Sequence, residues 1–335
     1  MTGTAIDWYR VPVDKDTMQR LNTRSDLRGL LQTLGFLALI TLTAATAVYS
    51  AAHWPWPLTL LIVFTHGTFF AFMLNGFHEL CHQSVFRSRR LNTLFLWIFS
   101  FIGWYNHVKF INSHMRHHRY TLFPPDDMEN VLPLRFSVKN FFASGFIHVA
   151  GFRAVIGEFL RHASGRLTAD RWENMIYPES DPVARRQLFN WSRFTLAGHV
   201  TIVAVSLHYG QWMIPVVTTF ARFYGEWLMY LCNNTQHVGL QDNVPDFRLC
   251  ARTIHINPFL RFLYWHMNYH IEHHMYAAVP CYNLRKLHLL LKPDLPPTPN
   301  GLAAAWREIA AIMHRQDADP KYQYIPPCPE PRILS

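Results

Sequence analysis

The chain is short of charge. Only 16% of its 335 residues are Asp, Glu, Lys or Arg, against 50% hydrophobic and 15% aromatic residues. The hydrophobic residues are bunched, a balance that points to a polytopic membrane protein with a substantial polar portion. Cysteine is scarce as well. Cys81, Cys232, Cys250, Cys281 and Cys328 form no C-x-x-C pair, so they read as thiols in a reducing compartment. The first 25 residues are polar and hold no apolar core, so no cleavable signal peptide is expected. The net charge is +9, yet there is no dense Lys/Arg run, and no nucleic-acid partner is expected. The basic residues instead flank apolar segments, as at a cytoplasmic membrane face.

What the chain has in excess is histidine, 20 residues in all. His114-Met-Arg-His117-His118 and His270-Ile-Glu-His273-His274 both read H-x-x-H-H, and His78-Glu-Leu-Cys-His82 reads H-x-x-x-H. On a helix, positions i, i+3 and i+4 share one face, so each box can aim two or three imidazoles at one point. Neutral imidazole is the commonest metal ligand and suits iron, zinc or copper. In a chain this rich in histidine one i, i+4 pair means little, but two identical triplets exceed chance. Eight box histidines are more than one first-row ion can take, so two ions are expected.

Four apolar stretches, 27–51, 56–77, 189–209 and 211–231, meet the length of about 20 residues that a bilayer span needs. The short turns near His53 and Gly210 hold no Lys or Arg, whereas the opposite ends carry Arg20, Arg24 and Arg28, then Arg87, Arg89 and Arg90, then Arg185 and Arg186. The positive-inside rule then predicts two helical hairpins dipping from the cytoplasm, with both termini cytoplasmic. A fifth stretch, 91–111, contains Asn106, His107 and Lys109, poor guests for hydrocarbon. If it crossed, the box at His114 would lie on the opposite face from the box at His78, so an interfacial or re-entrant path is expected. The stretch 141–159, broken by Gly145 and Gly151, is expected to lie on the membrane. The expected fold is therefore an all-α integral membrane protein with four transmembrane helices in two hairpins and a cytosolic helical cap carrying the boxes. Its parts are a cytosolic segment 1–26, a body 27–291 whose portions 78–188 and 232–291 are cytosolic or interfacial, and a Pro-rich cytosolic tail 292–335.

Boxes in this order on two membrane hairpins resemble the membrane-bound fatty acid desaturase superfamily, histidine-box non-haem diiron enzymes that include hydroxylases and acetylenases. The resemblance runs from the first span to about residue 291. It implies His78, His82, His114, His117, His118, His270, His273 and His274 as metal ligands. From Asn233-Asn-Thr-Gln-His237, just past the fourth span, it adds His237, with Asn233 bound through water. It implies two non-haem irons, dioxygen as co-substrate, and a multi-pass place in the inner (cytoplasmic) membrane among its lipids. The third box begins with His270 rather than glutamine and no cytochrome domain is fused, unlike the front-end desaturases. Electrons are then expected from a separate ferredoxin, rubredoxin or cytochrome with its reductase.

Ligating imidazoles normally hold their other ring nitrogen on an acceptor. Glu79, Glu272, Asp126, Asp127 and Glu129 are near the boxes in sequence, and Glu272 and Asp126 are the candidates taken forward. His266, one turn before His270, is expected beside the site. Arg222 and Glu226 at i, i+4 pair most simply with each other; alternatively Arg222 binds a substrate carboxylate. His66 and His199, inside spans, are expected to hydrogen-bond between helices. The function that follows is insertion of a double bond into an aliphatic chain, first a fatty acyl or lipid substrate. A hydroxylase, or an enzyme acting on a smaller secondary metabolite such as an amino-acid derivative, is the alternative on the same scaffold. A metal-binding membrane transporter is the alternative of another class, but it would carry its histidines within the spans.

Overall fold

The computed structural model describes residues 5–332 apart from 128, 130, 131, 133, 169 and 170. Among the described residues the chain is helical, with isolated backbone bridges such as Tyr9 to Asp246 and Leu240 to Tyr324 in place of sheets.

The first hairpin forms as expected. Helix Asp26–His53 starts where the Ser25 hydroxyl accepts from the Arg28 amide, a standard N-cap. Its 28 residues span roughly 42 Å at 1.5 Å per residue. The chain turns at Trp54-Pro55-Trp56-Pro57, where proline suits the first turn of the returning helix. That return runs Trp56–Ala71 and, past a small break at Phe72, Met73–Cys81. Both arms, Asp26–His53 and Trp56–Cys81, are long and apolar enough to cross a bilayer. Leu27, Leu31, Leu34, Leu42, Leu60 and Leu61 point outward and exposed, as lipid-facing side chains do. Exposed Trp54, Trp56 and Trp212 gather at the tip, the level at which aromatic rings anchor a membrane interface.

The second hairpin departs from expectation. Pro182–His208 is one helix of 27 residues, but the segment 211–231 is not a helix. It breaks into Met213–Val217, a 3-10 turn Ala221–Phe223, and Trp227–Asn234. A five-residue helix covers only about 8 Å, so four continuous spanning helices are not formed. Pro215, which lacks an amide hydrogen, and Gly225, at φ 75, punctuate the segment. Gly225 and Gly67 pack backbone against backbone, a contact that no Cβ could enter.

The stretch 91–111 turns back. Helix Arg89–Ile102 meets helix His107–Tyr120 at 106°. Asn106 makes the corner: its side-chain oxygen accepts from the Val108 and Lys109 amides, and its Nδ2 donates to Leu188 O and Ser192 Oγ. The stretch 141–159 is likewise divided into Val138–Gly145 and Val149–Ala163. A buried aromatic core sits between the hairpin and the boxes, with Trp265 against Phe36 at 6.0 Å and Phe99 at 5.5 Å. The helix Leu302–Ala318 buries Ala305, Ile309 and Ile312 against this body.

Candidate metal centre

Four short segments deliver the histidines. His78 lies in the last turn of helix Met73–Cys81, and His82 caps it. His114, His117 and His118 share helix His107–Tyr120. His237 follows helix Trp227–Asn234, and the third box is the fully buried helix His270–Met275. The rings converge in two groups. One holds His78, His82, His114, His118 and His273; the other holds His117, His237 and His274. His270 sits beside the second group, its Nε2 2.9 Å from that of His237 and 3.1 Å from that of His274. Contact between His82 and His114, Nε2 to Nε2 at 3.1 Å, places the first two boxes on the same side of the molecule.

The ring orientations say what the groups are for. His237 Nδ1 lies 2.7 Å from the Cys250 carbonyl, which can only accept, so this nitrogen carries the proton and Nε2 presents a lone pair. His114 Nδ1 meets Glu129 Oε1 at 2.9 Å and His117 Nδ1 meets Asp127 Oδ2 at 2.8 Å. His78 Nδ1 lies 3.1 Å from Glu79 Oε1, and His273 Nδ1 3.5 Å from the same atom. For His78, His114, His117 and His237 the outer nitrogen is held by a hydrogen bond and the inner nitrogen faces its neighbours. Inner nitrogens approach at 3.0 Å for His114–His118 and 3.2 Å for His118–His273. Lone pairs so close repel unless a cation lies among them. Ligands at right angles on a first-row ion with bonds of about 2.1 Å are separated by about that distance, so the donor set fits metal.

The electrostatics keep most rings neutral. Burial, followed by the neighbouring imidazoles, pulls His82 down to about 3. Burial, then His117, does the same to His237, also to about 3. His114, His118, His270, His273 and His274 lie well below the usual histidine range, again chiefly by burial. His117 is the exception. Burial opposes its charge, but the hydrogen bond to Asp127 and the nearby carboxylates outweigh that and raise it. A cation at its inner nitrogen would take the proton's place.

Other anticipated residues fall differently. Asn233 lines a cavity of about 260 Å³ beside the clusters and accepts from Asn75 Nδ2 at 3.3 Å. Glu272 holds no ligand ring. It accepts from Thr253 Oγ1 and from His288 Nδ1, because two residues after His270 it lies on the opposite face of the box helix from the ligand rings. Asp126 pairs with Arg116 at 3.0 Å; its neighbour Asp127 takes the ligand ring. His266 is half-buried and belongs to neither group, its buried Nδ1 without a hydrogen-bond partner. Arg222 and Glu226 do not pair. The guanidinium stacks 4.4 Å over Tyr105 and donates to the Gly103 and Trp104 carbonyls, while Glu226 accepts from His148. The expected bonds of His66 and His199 between helices do form: His66 to Thr43 and Val217 O, His199 to Thr219 and Phe101 O. The Cys250 carbonyl and the Thr121 hydroxyl, 3.3 Å from His274 Nδ1, are holders that sequence reasoning missed. A backbone carbonyl leaves no sequence signal, and threonine is too common to be one.

A search of curated proteins finds none that matches the chain. The fatty acid desaturase family model matches residues 54–304, a stretch that contains every histidine of both clusters. The chain belongs to the fatty acid desaturase family.

Proposed function

We propose that this chain is an O2-dependent diiron oxidoreductase of the cytoplasmic membrane that inserts a double bond into an aliphatic chain, with a fatty acyl or lipid substrate as first choice. The observation that carries the reading is the convergence of inward-facing imidazole lone pairs in two adjacent groups. A zinc hydrolase site uses three protein ligands and an open position, far fewer than are gathered here. A transporter would distribute its histidines along a path through the spans.

His78, His82, His114, His118 and His273 would hold one iron, and His117, His237, His270 and His274 the other. Bound there, the irons supply activation of dioxygen and the power to remove hydrogen from an unactivated C–H bond. The chain's own residues do the rest. Glu79, Glu129 and Asp127 fix the ring tautomers and orientations and raise ligand basicity. Leu74, Phe110, Leu134 and Met267 wall the adjoining cavity and keep bulk water from the reacting carbon. Asn75, Asn233 and Gln236 on the same wall offer hydrogen bonds to a polar substrate group. The electrons come from a separate carrier, and the site faces the cytoplasm with both termini.

A second reading, a smaller amphipathic substrate, is favoured by size. The cavity of about 260 Å³ lies below the roughly 300–1,000 Å³ of sites for drug-sized ligands. It shares Phe110 and Glu129 with a second cavity of about 250 Å³ that presents Arg222 and the pair Lys109–Glu158, 2.6 Å apart, an end of mixed charge suited to a polar, amino-acid-like group. The wide apolar groove of about 1060 Å³ between helices Arg89–Ile102 and Pro182–His208 shares no described lining residue with the cavity at the histidines. Expression in a host supplied with an electron donor, followed by mass spectrometry of lipids and soluble metabolites, decides between them. Loss of two hydrogens from membrane acyl chains supports the first reading, and the same loss from a soluble metabolite supports the second. A gain of one oxygen instead makes the chain a hydroxylase. No change in a protein fully loaded with iron contradicts the proposal.

A further inference from the structure

An aromatic stack leads from the surface to the second histidine group. Trp8 lies flat on Phe247, ring centres 4.1 Å apart and planes within 6°. Phe247 is wholly buried and packs 5.3 Å from the His274 ring. Trp8 itself is half-buried, and Phe123 closes its flank edge-on at 5.7 Å. The segment bearing Trp8 is fixed: the indole N–H donates to Arg119 O, the Tyr9 amide to Pro245 O, and the Tyr276 hydroxyl to Val11 O. Packing alone would account for an apolar residue at position 8. It does not account for a continuous line of π-systems ending on a ligand ring.

The surface around the outer end of this line is basic. Arg10 and Arg119 are exposed and make no ion pair among the described residues. Arg116, Arg248 and Arg332 nearby are paired with Asp126, Asp246 and Asp294, and Asp7 is the acidic neighbour on the same segment. The whole chain carries +9, which favours encounter with an acidic protein.

We propose that this face is the docking site of a small acidic one-electron carrier protein, and that Trp8 and Phe247 are the medium through which its electrons reach the centre at His274. The inference rests on the diiron reading. Each carrier gives up one electron. Two such electrons and two protons from solvent, together with the two hydrogen atoms (two protons and two electrons) removed from the substrate as its C=C bond forms, reduce one dioxygen to two waters. Trp8 and Phe247 are positioning residues and change no oxidation state. Electron tunnelling falls off exponentially with gap width, and packed rings leave no gap.

The test uses the full chain in detergent, loaded with iron, and an acidic plant-type [2Fe–2S] ferredoxin as probe. Binding is measured at low and high salt, and anaerobic electron transfer is followed by the absorbance of the ferredoxin. The double variant Arg10→Glu/Arg119→Glu is expected to weaken binding about tenfold at low salt, with the difference vanishing at high salt. Trp8→Leu is expected to bind like the wild type yet accept electrons several-fold more slowly, and Trp8→Phe to recover most of the rate. A role in packing alone would be served by Leu as well as Phe. Wild-type transfer rates in Trp8→Leu, or wild-type binding in the charge-reversed variant, would overturn the proposal. Failure of the functional reading shows separately, in a wild-type protein that binds no iron or accepts no electrons from dithionite.

Discussion

Around the first histidine group the outer nitrogens of His78, His114 and His273 face carboxylates, Glu79 or Glu129. Around the second, only His117 has one, Asp127, while His237 leans on the Cys250 carbonyl and His274 on the Thr121 hydroxyl. A carboxylate makes an imidazole a stronger donor than a neutral acceptor does. Two groups built from one residue type therefore differ in grip, and the second should hold its ion less tightly. It is also the group whose ring packs against Phe247.

The largest effects come from removing ligands. Replacing His82 or His118 by Ala should abolish turnover and empty the first site, and replacing His237 or His274 should abolish turnover and empty the second. Iron per chain in purified, membrane-inserted protein checks both halves. Wild-type turnover in two of these four variants would undo the ligand assignment.

Removing the holders should come next. Glu129→Gln and Asp127→Asn should each lower iron affinity by about 10–100-fold. The loss should be larger for Asp127→Asn, since no second carboxylate serves its group. Competition with a chelator measures the two, and equal losses would erase the contrast between the groups.

Acid acts on the metal-free protein more gently. His82 and His237 are held down to about 3, below the ordinary value of 6.5, so folding is disfavoured once unfolded chains can take up those protons. Their contribution is complete above about pH 6.5 and is lost as pH falls from there toward 3. The melting temperature of metal-free protein should therefore be level above neutrality and decline on acidification. Added iron, which needs unprotonated rings, should delay the decline. The smallest effect concerns the bond that His66, on the first hairpin, donates to Val217 O of the broken segment: His66→Ala should cost about 1–3 kcal/mol of stability and leave the iron content unchanged.

That last variant touches the part of the fold that was hardest to read. The boxes and the first hairpin were legible, because helical spacing and a run of apolar residues are properties of the chain itself. The segment 211–231 is apolar enough to pass for a helix; Pro215 and Gly225 interrupt it from within, and what holds the broken path lies elsewhere in the sequence. His66 donates to Val217 O, Trp104 to Thr219 O, Tyr224 to Val216 O and Arg222 to Gly103 O. These bonds satisfy backbone groups on and opposite the broken stretch, which irregular backbone packed away from water requires. His66 and His199, read from sequence as interhelix bonds, turn out to bond the broken segment's residues as well. Asp126 and Asp127 show the limit at finer grain. Both are near the second box in sequence, but the turn after Tyr120, with Leu122 at φ 59, points Asp127 at His117 and leaves Asp126 to Arg116.

The central claim is that two ions sit among these rings. Elemental analysis of the purified full chain, paired with Mössbauer spectroscopy after growth on enriched iron, tests it most directly. The account predicts two irons per chain in nitrogen-rich surroundings, falling to one in His274→Ala. A single zinc per chain, or full turnover without iron, would contradict it.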